Sequence, residues 1–393
     1  MSRPWKRVLF MTGSLQTAVS GSMSGLTAAA PFDQVVREQA EHLPTDQVEQ
    51  FWNKLVNEYG GFFPDSQTPS FMDLLTGAKQ LSMTSALQSV LKYFFHEVLY
   101  NGKLLAAIVV LTIFSILLET LQSSFEKNAV SKIAYSICFL VLMIMAINSF
   151  SVAIGYAKGA INDMINFMVA VVPLLLTLLA SMGNVVSVSV LHPLIIFMIH
   201  TVGTAIYAFV FPLLFFSAVL HIVSSLTDKY KVTQLANLLR NIGLGSLGVF
   251  ITVFLGVISV QGAGGAVADG VTIRTAKYIA GNFVPVVGRL FADASETVIG
   301  ASLLVKNAVG LVGVVIIILI CAFPAIKIIT LALIYNLCAA IMQPLGDNPM
   351  IACLETIGKS MVYVFAALAV VGLMFFLAIT IMIAAGNVSV MVR

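Results

Sequence analysis

The sequence predicts an all-α, polytopic integral membrane protein, with about seven spans and two further helices that cross or re-enter, behind a small N-terminal helical extracytoplasmic domain. Composition and apolar run length carry this prediction. Of 393 residues, 59% are apolar and 10% charged, far from the mix of a soluble domain. The stretches 104–118, 133–152, 185–226, 242–260, 309–341 and 361–385 equal or approach the ~20 residues that cross a ~30 Å hydrocarbon core. Character changes near Asn101, because residues 31–101 are polar and helix-patterned.

Residues 1–30 read as an export signal or, uncleaved, as an anchor. Arg3, Lys6 and Arg7 form a basic start, Val8 begins an apolar stretch, and small residues at 26–30 offer cleavage, although Pro31 opposes it directly after Ala30. Residues 31–101 hold nine Asp/Glu against four Lys/Arg, and residues 102–393 hold nine against fourteen. An acidic segment ahead of the first span, with the positive surplus in later loops, places 31–101 outside and those loops in the cytoplasm.

Within 31–101 three helices are expected. Val48, Phe51, Trp52, Leu55, Val56 and Tyr59 recur at helical spacing, and Gly60-Gly61 supplies a stop. Ser70 and Asp73 have capping-box spacing ahead of Phe71, Leu74, Leu75 and Ala78. Over 81–100, Leu87, Val90, Leu91, Phe94, Phe95 and Val98 form a stripe opposite Gln88, Lys92, His96 and Glu97. That stripe suits a helix along the outer interface or the core of a helical hairpin.

From 102 to 386 the chain is a polytopic membrane domain in which 103–200 and 205–336 read as tandem repeats, with an extra span at 361–386. Each copy has a span, a charged loop (Glu126, Lys127 and Lys132; Asp228, Lys229 and Lys231), a second span, an Asn-Phe pair, a Val-Val pair and a further helix. The offset is 102 residues at Lys127 and Lys229 but 115 at Val171 and Val286, so the second copy has the longer linker, containing Gly262, Gly264, Gly265 and Gly270. Chance similarity among apolar segments is the competing account. The run 185–226 would extend ~63 Å as one helix, which predicts two spans with a break near 201–204. Helices 164–183 and 284–305 either span or re-enter.

Few residues suggest chemistry. Arg289, Asp293 and Glu296 lie at i, i+4 and i+7 on one helical face, which fits a polar path or subunit contact, or an interface helix with a local ion pair. Lys229, Lys231 and Arg240 form a basic loop suited to a cytoplasmic partner. The glycines at 262–270 lack the Lys-Ser/Thr and preceding strand of a phosphate loop. His192, His200 and His221 lack metal-ligand spacing, and Cys138, Cys321, Cys338 and Cys353 lack CxxC spacing and read as small apolar residues. Positive residues form no patch for nucleic acid. No nucleophile, acid/base and orienter set is present, so neither an enzyme nor a cofactor is expected.

Particular runs resemble a known family. Residues 93–98, 101–105, 118–123, 153–158, 226–241, 256–262, 267–277 and 281–289 are similar to stage III sporulation protein AE of endospore-forming bacteria, and the likeness covers roughly 45–390. The resemblance implies a multi-pass protein of the mother-cell membrane surrounding the forespore, with its N-terminal domain in the intermembrane space. It also implies a place among the stage III sporulation A membrane proteins, which include a secretion-type ATPase and meet stage II sporulation protein Q across that space. The expected function is a platform or channel component needed for forespore development and late sigma-factor activity. The alternative is a stand-alone secondary transporter or exporter with a midplane substrate site.

Overall fold

Apolar runs of this length cannot leave backbone polar groups unpaired in lipid, and a helix satisfies them within the segment. The computed structural model describes residues 43–62, 69–75, 83–124, 129–226, 231–283, 287–345 and 349–392, and its regular elements there are helical. Helix α1 (Asp46–Tyr59) buries Val48, Trp52, Leu55 and Tyr59 along the face its spacing predicts. A 3-10 turn, Gly60–Phe62, ends it. Helix α2 (Phe71–Leu75) starts on the expected capping box: Asp73 N–H donates to Ser70 Oγ (3.1 Å) and Ser70 N–H to Asp73 Oδ2 (3.0 Å). Helix α3 (Met83–Tyr100) buries Ser89, Tyr93 and Glu97 and turns Leu87, Leu91, Phe95 and Leu99 outward. Its apolar stripe is therefore not the core of a hairpin.

The remaining helices are α4 (Gly102–Ser124), α5 (Ala129–Ser181), α6 (Val185–Ala205), α7 (Phe211–Leu226), α8 (Thr233–Phe283), α9 (Val287–Met342) and α10 (Pro349–Val392). Among the described residues five stretches are long and apolar enough to cross a membrane: Ile133–Ser181, Val185–Ser225, Thr233–Thr275, Glu296–Met342 and Pro349–Met391. Leu87–Tyr100 with Gly102–Leu118, bent by 41°, is a sixth if the pair forms one broken span. Expected breaks are absent because α5, α8 and α9 run unbroken for 53, 51 and 56 residues. Segments 164–183 and 284–305 are thus the continuations of long helices, except for 284–286, which lie outside the described residues. The 361–386 span is part of α10.

Packing explains the continuity. Gly262 abuts Ile381 and Ala385, and Gly265 abuts Ser187, so these glycines are contact points and not a linker. Pro173 and Pro324 each remove one ladder bond but lie inside helices held by neighbours. Near 201–204 the chain does not reverse; α6 passes into α7 through a π-helical turn, Ile206–Val210. A true reversal joins α5 to α6, where Gly183 adopts φ 85° and Asn184 N–H donates to Leu179 O (3.1 Å).

α9 and α10 pack antiparallel at the centre, with α5 against both and α8 against α10. α6 and α7 cover α8, and α4 forms a hairpin with α5. The helices before Asn101 belong to the same core: Tyr59 stacks on Phe323 at 3.9 Å and Phe51 meets Phe167 edge-on at 5.5 Å.

Candidate functional site

Polar side chains gather at two levels of the bundle. At the first, the tyrosine level, three helices each place a cation over a ring. Lys158 Nζ lies 4.3 Å from the Tyr207 centroid, and the Arg240 guanidinium 5.0 Å from Tyr363. Lys327 Nζ sits between Tyr156 (5.1 Å) and Tyr59 (5.8 Å). The heights agree: Gly358 abuts Asn336 and Gly372 abuts Cys321, which sets Tyr363 beside the Lys327 turn. The N-terminal helices dock here. Lys54 pairs with Asp163 at 2.9 Å, Trp52 Nε1 donates to Pro69 O (2.9 Å), and Tyr93 meets Phe323 edge-on at 5.0 Å. Tyr59 donates to Glu58 Oε1 at 2.7 Å. Burial, followed by that hydrogen bond, raises the Tyr59 phenol above its ordinary range and keeps it protonated.

The second level, the far end, lies where α5 turns into α6. Asp269 of α8, 1% exposed, accepts from the N–H groups of Val186 (2.9 Å) and Ser187 (3.0 Å). It thereby caps α6 from another helix, a carboxylate at the positive end of the dipole. Lys306 of α9 is fully buried, and its Nζ donates to Ile383 O (2.8 Å) and Asn387 Oδ1 (3.1 Å) of α10. Gly386 leaves room for it, since a Cβ there would collide with Lys306 and Leu179. Ser389 donates to Asn184 Oδ1 at 2.7 Å. Four helices are thus tied within a few turns.

From Lys327 to Lys306 along α9 is about 30 Å, one hydrocarbon thickness. Between the levels, residues 164–181, 241–268, 307–326 and 364–386 contain no Asp, Glu, Lys or Arg.

Apart from Arg240, the residues singled out from sequence do not enter these two levels. Glu296 is exposed on α9 beyond the far end, while Arg289 and Asp293 fall in α9 with side chains outside the described residues. Lys229 also lies outside the described residues, and Lys231 is exposed just ahead of α8. Arg240 alone enters a described constellation, at the tyrosine level. Lys306 and Asp269 were missed although their signal was present: each is an isolated charge beside a long apolar run. Lys54–Asp163 and Lys327–Tyr59 join residues far apart in sequence, and no local pattern announces them. Among the described residues no three His, Cys, Asp or Glu side chains converge for a metal, and all four cysteines are free.

Comparison with known proteins gives a consistent answer. The family model described as Stage III sporulation protein AE matches residues 66–386. Stage III sporulation protein AE of Bacillus subtilis (strain 168) is 55% identical over 361 residues, 92% of this chain and 90% of that protein. No solved structure matches.

Proposed function

The chain belongs to the stage III sporulation protein AE family, and on that premise we propose that it is an integral-membrane platform or channel component of the mother cell-to-forespore complex. The observation that carries this reading is a family sequence folded into five membrane-length helices whose interior charges tie helix to helix. Such a bundle supports an assembly, and the proposed role is that of a non-catalytic complex component, in keeping with the family. In this reading it sits in the mother-cell membrane around the forespore. The basic loop with Lys229, Lys231 and Arg240 meets other stage III sporulation A proteins, including the secretion-type ATPase, and stage II sporulation protein Q is reached indirectly. Arg289, Asp293 and Glu296, beyond the far end, supply a subunit contact or polar path. The complex serves forespore development and late sigma-factor activity.

Sidedness has two supports that differ. The acidic N-terminal segment and the Lys-bearing loops favour opposite sides, with α1–α3 in the intermembrane space. Charge-free stretches lie on both sides of the tyrosine level, at 164–181 and 307–326 and at 133–157 and 328–346, and a bilayer across the first pair leaves α1–α3 and the loops on one side. Cysteine labelling at residues 50 and 230 separates these arrangements. The platform reading itself is tested by purification from sporulating cells. Recovery with other stage III sporulation A proteins is expected, and transport of a defined solute by this protein alone in proteoliposomes would overturn it.

A further inference from the structure

We propose that α3 is a membrane element, bent out of α4 at Asn101, whose outward stripe lies in the shallow edge of the hydrocarbon that α4 enters. The helix has three different sides. Ser89, Tyr93 and Glu97 are at most 9% exposed and face the bundle, where Tyr93 meets Tyr59 (5.6 Å), Phe62 (4.9 Å) and Phe323 (5.0 Å) edge-on. Gln88, Lys92 and His96 form an exposed polar row. Leu87, Leu91, Phe95 and Leu99, 48–80% exposed, form an exposed apolar row beside it. Such a helix suits the line where protein, water and hydrocarbon meet.

In water this polarity would be inverted. A helix on a soluble core buries its large apolar residues and leaves carboxylates outside, whereas α3 buries Glu97 and exposes Phe95. Glu97 keeps a polar partner inside, since Asn101 Nδ2 donates to its Oε2 at 3.3 Å. Polar groups turned to the protein and large apolar ones turned away are what a hydrocarbon surrounding favours.

Lipid, and not another protein, is the occupant because the stripe runs on into a membrane-length segment. Asn101 N–H donates to Glu97 O (3.0 Å) and Leu105 N–H to Asn101 O (3.2 Å), so the helical ladder persists through the 41° bend. The bend has a local cause: Asn101 Nδ2 also donates to Glu97 O (2.9 Å), beside Gly102. At about 100° per residue, Phe95, Leu99, Val110, Ile113 and Leu117 keep to one side, all exposed, while Glu97, Ile108, Thr112 and Ser115 keep to the other, all buried. Leu87–Tyr100 and Gly102–Leu118 reach membrane length and apolarity together. Lys103, exposed at the bend and without a partner among the described residues, marks the level of the lipid phosphates. Nothing here rests on the sporulation complex, because lipid contact is measured with this chain alone.

The test uses the full chain, its four native cysteines replaced by alanine, in phosphatidylcholine vesicles that contain no other sporulation protein. Single cysteines carry an environment-sensitive fluorophore, which is quenched by lipids with a nitroxide shallow or deep in the acyl chain, or by aqueous iodide. Leu91→Cys and Phe95→Cys are expected to show blue-shifted emission, quenching by the shallow nitroxide and protection from iodide. Val110→Cys should prefer the deep nitroxide, and Gln88→Cys should respond to iodide alone. These side chains are all exposed, so the labelled variants should keep the parent's melting temperature. Iodide quenching at Leu91 and Phe95 would place the stripe in water, and protection from every quencher would place it under protein, a second copy included. Either result, or deep quenching at both positions, would overturn the proposal.

Discussion

At the tyrosine level, Lys54 and Asp163 meet with 54% and 34% of their side chains exposed, whereas at the far end Lys306 and Asp269 are 0% and 1% exposed. The same chain therefore handles charge in two ways. Where water reaches the pair, Coulomb attraction is screened and the contact mainly sets orientation. Where water is excluded, a lost partner leaves polar groups with nothing to bond, and the penalty is large. Apolar packing should dominate the docking of α1–α3, and polar geometry the closure of the far end.

Trp52→Ala is expected to have the largest effect. It removes a fully buried indole and its bond to Pro69, at about 3–5 kcal/mol, and should deplete the protein from membranes. Normal levels with lost complex assembly would show a docking residue and not a core one. Asp269→Ala should follow, at about 3 kcal/mol, because two N–H groups at the start of α6 lose a charged acceptor. Asp269→Asn keeps one acceptor and should cost less. Equal melting of both variants and the parent in detergent would break the contrast between the levels.

A smaller effect is expected from alkali. The native Tyr59 phenol is raised, so its contribution is present below the ordinary tyrosine value of about 10 and is lost as pH climbs above it. Protease release of the N-terminal helices should rise above that pH in the parent and rise less in Tyr59→Phe. Lys54→Ala is expected to change stability least, by about 1 kcal/mol or less, with the effect shrinking in salt. A loss as large as that of Asp269→Ala would show that the exposed pair is the true clamp.

Parts of this architecture were legible because their signals are local. Helix α1, its buried face and the Ser70–Asp73 box each depend on residues within two turns, and all three appear as expected. The helix-breaking signals misled for the same reason. Pro173, Pro324, Gly262 and Gly265 are breakers only when nothing packs beside them, and here α9, α10 and α6 do. Glu296, a charge on an amphipathic turn, lies exposed, and the lone Lys306 and Asp269 make buried contacts that no local pattern foretold.

By itself the sequence determined the helical class, the membrane-length apolar runs and the family, since each follows from composition, periodicity or shared residue runs along the chain. Tertiary structure alone decided where helices end, which lone charges meet partners and which glycines stay open. Those outcomes depend on neighbours tens to hundreds of residues away: Lys306 finds Asn387, Asp269 finds the start of α6, and Lys54 finds Asp163. Along a helix only residues three or four apart are neighbours, so the pattern of one segment cannot reveal what another brings to it.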